Sequence, residues 1–232
     1  DYIEKIGLRP VLEKLQLPQG GSNRAYDPVD VVEAFLLNIW IGASRFCHCD
    51  WIREDAVLKE IFGLSSLPSQ STYSRFFGKF NQATNTRIFP QLQHWCMQPI
   101  DTGALTIDFD STVITRSGNQ EGSARGYNPN RRGRNSHHPL MAFVSQTRMV
   151  ANAWLRPGNT AACSNAEAFM EETFDILRDQ RIGLVRADSG FNSEAIQSYL
   201  EGRELDYIIA VRAIPCVKHE IYALKQWVQI CE

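Results

Sequence analysis

The order of apolar segments after Gly103 places the strongest constraint on the fold of this chain. Ala104–Asp110 alternates apolar and polar residues, which is typical of a strand with one buried face. Two apolar runs split by Thr147-Arg148 then predict a hairpin, and a helix, a strand, a helix and a strand follow. These segments are, in chain order, Pro139–Gln146, Met149–Leu155, Asn165–Gln180, Ile182–Ala187, Asn192–Glu201 and Asp206–Arg212.

This order of elements predicts an α/β fold. Three strands, a helix, a strand, a helix and a strand also form the ribonuclease H-like fold up to its fifth strand. We therefore expect a mixed sheet flanked by helices at residues 101–232. Phe169, Phe174 and Leu177 repeat at helical spacing and are expected to face the core. Residues 116–138 are rich in Gly, Asn and Arg and are expected to form a long loop.

Residues 1–100 are expected to form a small all-α region. Asp27 fits an N-cap and Pro28 the first turn of a helix that runs to about Ala43, with Val32, Phe35, Leu36 and Ile39 at helical spacing. Further helices are expected near Asp55–Phe62, from Ser69 onward and along Ile88–Met97. The helix after Ser69 carries Tyr73 and Arg75, with Lys79 near its end, and is compatible with a helix-turn-helix. A plain helical bundle explains the same pattern.

Three aspartates could form a metal site. Asp108 and Asp110 are two residues apart on one strand and therefore point to the same face. Asp188 follows a second strand, and parallel neighbouring strands would bring the carboxylates together. Mg²⁺ or Mn²⁺ would suit such hard oxygen ligands, and two ions about 3.5–4 Å apart could act on a phosphodiester. The alternative is that each Asp only ends its strand.

Charge is unevenly distributed along the chain. The net charge is −2, yet residues 101–110 carry three acids and no base, whereas residues 111–150 carry six Arg and one Glu. Guanidinium groups match phosphate oxygens, so we expect the loop to contact a polyanionic substrate through Arg125, Arg131, Arg132 and Arg134, with Tyr127 as a stacking face and Asn128 as a hydrogen-bonding amide. The alternative is a solvated, mobile loop. His137 and His138 are adjacent and are expected to face opposite ways.

The six cysteines show no framework spacing. Cys47-His48-Cys49 lacks the two-residue gap of zinc-binding cysteine pairs, so reduced cytosolic thiols are expected. No segment reaches the roughly 20 apolar residues needed to cross a bilayer. The chain starts at Asp1 and stops at Glu232, which we interpret as a fragment.

Four motifs together resemble one known family. IDFDSTVI (107–114), GNQEGSARGYNPNRRGRNSHHPLMAF (118–143), RPGNT (156–160) and RADSGF (186–191) are similar to DDE transposases of bacterial insertion sequences, in the branch called transposase DDE domain group 1. The resemblance covers roughly residues 25–215. It implies a ribonuclease H-like core, an N-terminal helical DNA-binding region, and Mg²⁺-dependent cutting at transposon ends followed by strand transfer.

The resemblance also assigns residues. Asp110 matches the first catalytic aspartate, with Asp108 as a fallback, and Asp188 matches the second. The family carries its third acid in a Tyr-x-x-Arg-x-x-x-Glu pattern. Here Tyr222 and Lys225 would put Gln229 in the place of that Glu, so we expect the third acid to lie beyond residue 232 or to be missing.

The implied partners are double-stranded DNA, as terminal inverted repeats and as target, and a second copy of the chain on DNA. The implied location is the cytoplasm, at the nucleoid. Tyr73, Arg75 and Lys79 are the expected contacts of the helical region. Two alternatives remain: a catalytically incomplete DNA-binding fragment that inhibits transposition, and a ribonuclease H-like nuclease.

Overall fold

A computed structural model of the chain describes residues 2–61, 63 and 66–226. The chain divides into two compact units between Cys96 and Met97. In the described part, the helices are α1 Tyr2–Ile6, α2 Leu8–Lys14, α3 Pro28–Trp40, α4 Ala56–Ile61, α5 Gln70–Phe77, α6 Gln82–Met97, α7 Ala166–Ile176, α8 Glu194–Gly202 and α9 Pro215–Ala223. None of these helices is long and apolar enough to cross a membrane.

The helical unit begins its longest early helix, α3, where the sequence predicts it. The Asp27 carboxylate accepts a hydrogen bond of 2.7 Å from the Val29 amide, which confirms the N-cap. The helix ends at Trp40 rather than near Ala43. Ile39, one of the four apolar residues at helical spacing, is 48% exposed and does not belong to the buried face. The most buried face instead runs through Val31, Ala34 and Leu37, because α5 and the 3₁₀ turn Phe46–Asp50 pack there.

The other early helices also differ at their ends from the sequence prediction. Helix α4 starts after Asp55, whose carboxylate accepts from the amides of Val57 and Leu58, and the predicted end at Phe62 lies outside the described residues. Helix α5 stops at Phe77, so Lys79 lies beyond its end. Helix α6 begins at Gln82, before the predicted start at Ile88. Its first turn is polar and solvent-exposed, so the apolar pattern does not reveal it.

The second unit is built on a five-stranded mixed sheet. The strands of the unit are β1 Leu105–Ser111, β2 Ile114–Thr115, β3 Ala124–Arg125, β4 Asn135–His137, β5 Leu140–Val144, β6 Met149–Trp154, β7 Ile182–Ala187 and β8 Tyr207–Ile209. The main sheet has the order β6-β5-β1-β7-β8. Strands β1, β5 and β6 are antiparallel neighbours, whereas β7 and β8 run parallel to β1. This arrangement confirms the predicted α/β order and the β5–β6 hairpin.

The core of this unit lies between the sheet and α7. Strand β1 buries alternate residues, Leu105, Ile107 and Phe109, because successive side chains point to opposite faces of a sheet. The ring of Phe109 meets Phe169 and Phe174 edge-on, at centroid separations of 5.9 and 6.1 Å. The predicted inward face of α7 is therefore confirmed, although the helix itself is shorter than Asn165–Gln180.

A small antiparallel sheet of order β2-β4-β3 occupies the region expected to be a loop. The prediction that residues 116–138 form one long loop is wrong where β3 and β4 interrupt it, because strands of two or three residues can form ladder hydrogen bonds without any apolar alternation. Buried Asn128 anchors the connection between β3 and β4. Its Nδ2 donates to Thr115 Oγ1 at 2.9 Å, and its Oδ1 accepts from the Arg131 amide at 2.8 Å.

Two glycines fasten this small sheet to the segment after β6. A Cβ on Gly126 would overlap the carbonyl oxygen of Gly158, and a Cβ on Gly158 would lie 2.5 Å from the carbonyl oxygens of Ala124 and Ser136. Pro157 also pairs with His137 in an isolated bridge. The RPGNT segment therefore packs backbone to backbone against β3 and β4. We call residues 125–134, which these strands carry, the arginine-rich connection.

Candidate functional site

The carboxyl ends of β1 and β7 bring Asp110 and Asp188 together. The parallel register pairs Asp108 with Arg186 and Phe109 with Ala187, so one further step sets Asp110 beside Asp188. The contact between Asp108 and Arg186 shows that these register partners share a face. Asp188 keeps an extended backbone (φ −77°, ψ 176°), so its side chain returns to the face of Arg186 two residues earlier.

Local backbone amides orient both carboxylates. Asp110 Oδ1 accepts from the Ser111 amide at 2.7 Å. Asp188 Oδ1 accepts from the Gly190 amide at 2.8 Å and caps the 3₁₀ turn Ser189–Phe191. Asp110 and Asp188 are both solvent-exposed. The carboxyl ends of these two neighbouring strands therefore present two oriented and solvent-exposed carboxylates.

Asp108 lies on the same face but has a different partner. Arg186 donates to both of its oxygens, with Nε–Oδ1 at 2.6 Å and Nη2–Oδ2 at 2.8 Å, and its Nη2 also donates to Ser145 Oγ at 2.8 Å. The hydrogen bond to Asp108 raises the pKa of Arg186. Since a cation already engages both oxygens of Asp108, this carboxylate is less available to a metal than Asp110 or Asp188.

The two adjacent carboxylates fit a hard divalent cation. Mg²⁺ is commonly held by one or two carboxylates, with waters and substrate phosphates as its other ligands. A closed cage is a different kind of site, and the described residues contain no group of three or more His, Cys, Asp or Glu side chains that could hold a metal. Asp110 and Asp188 would be the ligands of an ion placed here.

His138 links the site to the segment after β6. Its Nδ1 lies 2.7 Å from the Thr160 carbonyl oxygen, which can only accept, so Nδ1 carries the proton. Its Nε2 then accepts from Ser111 Oγ at 3.2 Å, next to Asp110. A Cβ on Gly190 would lie 2.9 Å from Ala162 Cβ, so the same segment also packs against the turn that begins at Asp188.

Arg156 holds this segment from inside the protein, a role that sequence reasoning missed. The side chain is only 6% exposed. Its Nη1 donates to the carbonyl oxygens of Ala161 and Ser164, and its Nε donates to the His138 carbonyl oxygen. Burial lowers the pKa of Arg156. The sequence signal for this residue is its place in the RPGNT motif.

His137 points away from His138, into the small sheet. Arg116 Nε donates to its Nδ1 at 2.8 Å, and its Nε2 donates to the Glu121 carbonyl oxygen at 2.9 Å. The two imidazoles therefore have separate partners. The expected DNA-contacting side chains of the connection are all exposed: Arg125, Tyr127, Arg131, Arg132 and Arg134.

The helical unit contains three expected DNA contacts, which the structure places differently. Arg75 and Lys79 are exposed and line a cleft of about 450 Å³ together with Arg24. Tyr73 is fully buried, and Asn38 Nδ2 donates to its hydroxyl at 3.1 Å. Burial raises the pKa of Tyr73. Because no part of its ring reaches the surface, Tyr73 is a core residue rather than a DNA contact.

The cysteines of the described residues are free thiols: Cys47, Cys49, Cys96, Cys163 and Cys216. Burial raises the pKa of the Cys49 and Cys96 thiols, which keeps them protonated. Cys231 and Gln229, the residue at the expected position of the third acid, lie outside the described residues.

The sheet order and the carboxylate pair at its edge define a ribonuclease H-like α/β domain. The chain belongs to the family described as transposase DDE domain group 1, whose model matches residues 2–229. No curated protein sequence matches the chain significantly.

Solved structures that match the chain include three transposases. A piggyBac transposase synaptic complex with hairpin DNA matches with 15% identity and a TM-score of 0.49 over 98% of this chain and 52% of that chain. The Drosophila P element transposase strand transfer complex gives 11% identity, a TM-score of 0.41, and coverage of 90% and 47%. A Mos1 transposase paired-end complex with the left transposon end matches with 12% identity and a TM-score of 0.36 over 84% of this chain and 62% of that chain. The chain thus spans about half the length of the piggyBac transposase chain.

Proposed function

We propose that this protein is a transposase that cuts DNA at the ends of an insertion sequence and joins the strands to target DNA. The observation that carries the proposal is the pair Asp110 and Asp188 at adjacent carboxyl ends of β1 and β7. Membership of the transposase DDE domain group 1 family supports it. We assign DNA binding to residues 1–100 and the chemistry to residues 101–232.

The carboxylates of Asp110 and Asp188 would hold Mg²⁺ or Mn²⁺. Such ions, when bound, activate a water nucleophile and stabilise the leaving oxygen of a phosphodiester. The Ser111 and Gly190 amides hold the Oδ1 atoms of Asp110 and Asp188, so the two carboxylates would fix where the cation sits. Arg186 keeps Asp108 paired, which limits repulsion between three carboxylates on one face. Water would attack the phosphorus and the P–O3′ bond would break, which leaves a 3′-hydroxyl and a 5′-phosphate. That hydroxyl would then attack a phosphodiester of target DNA and displace its 3′-oxygen.

Exposed cations would position the DNA backbone around this site. Arg125, Arg131, Arg132 and Arg134 can form paired hydrogen bonds to phosphate oxygens, and Tyr127, at 77% exposure, offers a flat ring for stacking. Arg75 and Lys79 are the candidate contacts of the helical region. Phosphate contacts set position and carry little sequence information. Because transposition brings two ends together, we also propose a homodimer on DNA, located at the nucleoid.

We expect cutting to require both a divalent cation and Asp188. DNA that carries the terminal inverted repeats is incubated with the protein in Mg²⁺, in Mn²⁺ and in excess EDTA, and the ends are mapped on a sequencing gel. Cuts with 3′-hydroxyls at the repeat ends are expected with the cations and not with EDTA, and Asp188→Ala should abolish them. DNA that is bound but never cut would instead show a DNA-binding protein without this activity.

The arginine-rich connection should contribute to the salt dependence of DNA binding. Replacing Arg131 and Arg132 with Gln should reduce the slope of log K against log salt concentration by about 0.9 for each phosphate that the protein no longer neutralises. Fluorescence anisotropy of a labelled duplex across a salt series measures this slope. Arg178→Gln changes an exposed residue just beyond the end of α7; it is the control and should leave the slope unchanged. An unchanged slope in the double variant would mean that the connection is only solvated.

A further inference from the structure

Four arginines surround one cleft beside the small sheet. The cleft has a volume of about 360 Å³, and its lining includes Arg116, Arg125, Arg132, Arg134, Asn119 and Asn135. Every charged side chain in the lining is a guanidinium, and no carboxylate takes part. We refer to it as the arginine cleft. Arg131 and Tyr127 do not line it, although both belong to the same connection.

The positive charge of the arginine cleft is not neutralised by the protein. Within residues 2–61, 63 and 66–226, no ion pair joins any of its four arginines to a carboxylate. Like charges gathered in one concave surface repel each other and create a positive potential that attracts anions. The cleft is therefore an electrostatic site that lacks its counter-charge.

Backbone and side-chain contacts hold the arginines around the cleft. Arg116 Nε donates to buried His137, which leaves both terminal nitrogens of that guanidinium available. Arg125 pairs with Asn135 across strands β3 and β4. Gly133 has a φ of +76°, a conformation that Gly adopts freely, and it turns the chain between Arg132 and Arg134. The cleft is thus assembled from strand residues and a tight turn rather than from a free tail.

The amides of the cleft extend its hydrogen-bonding capacity. Asn135 Nδ2 donates to Asn119 Oδ1 at 3.1 Å, which fixes the Asn119 side chain. The Nδ2 of Asn119 is then a further donor. Guanidinium forks and amide groups together match the oxygens of a phosphate, which can accept from several donors at once.

We propose that the arginine cleft is a discrete binding site for a single phosphate group, supplied by the DNA backbone. The DNA source of that phosphate rests on the function proposed above, whereas the phosphate chemistry rests on the cleft alone. The site separates the arginines into two sets: Arg116, Arg125, Arg132 and Arg134 share one phosphate, and Arg131 lies outside it.

A matched pair of neighbouring variants tests this site. Binding of inorganic phosphate by the full chain is measured by isothermal titration calorimetry at low salt, for the parent, Arg132→Gln and Arg131→Gln. Loss of one charged hydrogen-bonding group should weaken phosphate binding about tenfold in Arg132→Gln, and Arg131→Gln should stay within about twofold of the parent. Both arginines are exposed, so neither change should prevent folding, and circular dichroism checks this.

The source of the phosphate is tested with the same proteins and a short labelled duplex. Inorganic phosphate should compete with the duplex, and the Arg132→Gln change should reduce that competition. Equal weakening of phosphate binding by Arg131→Gln and Arg132→Gln would overturn the discrete site. If the protein bound inorganic phosphate but that phosphate did not displace the duplex, DNA would not be the source of the phosphate, although the phosphate site itself would stand. Absence of DNA cutting with phosphate binding intact would count against the proposed function alone.

Discussion

Replacing either Asp110 or Asp188 with Asn should weaken Mn²⁺ binding by at least about tenfold, since even outer-shell changes at metal sites cost about 10–100-fold in affinity. Each substitution removes one of two adjacent carboxylates at the ends of β1 and β7, and an amide carries no charge to offset that of the cation. Electron paramagnetic resonance of free Mn²⁺ during titration of the protein measures the affinity. The double variant should show no binding above the level of an unrelated protein.

Two further variants make the result specific to this edge of the sheet. Asp206→Asn changes an acid just before β8, at the amino end of the parallel strands and so opposite to Asp110 and Asp188. This change should not alter Mn²⁺ affinity. Asp108→Asn removes a carboxylate that Arg186 already engages, and Mn²⁺ affinity should fall less than in the Asp110 and Asp188 variants. An Asp108 effect larger than both others would transfer the ligand role to Asp108. Equal losses in all four variants would indicate non-specific attraction of the cation.

The substitution Gly158→Ala should lower the free energy of unfolding by about 1–3 kcal/mol, the usual cost of inserting a methyl group into close packing. The new Cβ would meet two backbone carbonyl oxygens, of Ala124 and Ser136, which cannot move aside as a flexible side chain can. The strands that carry the arginine-rich connection should separate from the RPGNT segment. Urea unfolding followed by circular dichroism measures the decrease, and DNA affinity should fall with it.

Gly118→Ala is the matched control for this effect. Its Cβ would find nothing closer than the Gln120 side chain at 3.7 Å, an ordinary contact distance. We therefore expect a change in unfolding free energy within about 0.5 kcal/mol, as for most surface positions. If Gly158→Ala were as mild as Gly118→Ala, the backbones of the RPGNT segment and the small sheet would not be in close contact.

The sequence was sufficient for the features that depend on local pattern. Strand β1 and helix α7 follow from apolar periodicity, and the Asp27 cap follows from residue type and position. The α/β order then places the ends of β1 and β7 side by side, because consecutive elements of this order limit the possible sheets. The sequence therefore predicted Asp110 and Asp188 as neighbours on the condition that their strands are parallel partners, and the register of β1 and β7 meets that condition.

The remaining features depend on contacts between distant segments. Tyr73 is a residue type that can serve as a surface contact. In α5, however, its side chain faces α3, and Asn38 donates a hydrogen bond to its hydroxyl. The pairing of Asp108 with Arg186 depends on the exact register of two strands, which no local pattern encodes. The small sheet is held by backbone pairing and by Asn128, so its polar sequence carries no apolar signal.

The anchoring of the small sheet has a consequence for how such a protein can diversify. Gly126, Asn128 and Gly158 fix the base of the connection, whereas its tip at Arg131–Gly133 is exposed. Residues at the tip can be exchanged without moving the β1 and β7 ends, whereas neither glycine can take a side chain without displacing backbone atoms. The charge of the tip can therefore vary while the strands beneath it keep their positions, and both glycines are expected to stay invariant independently of each other.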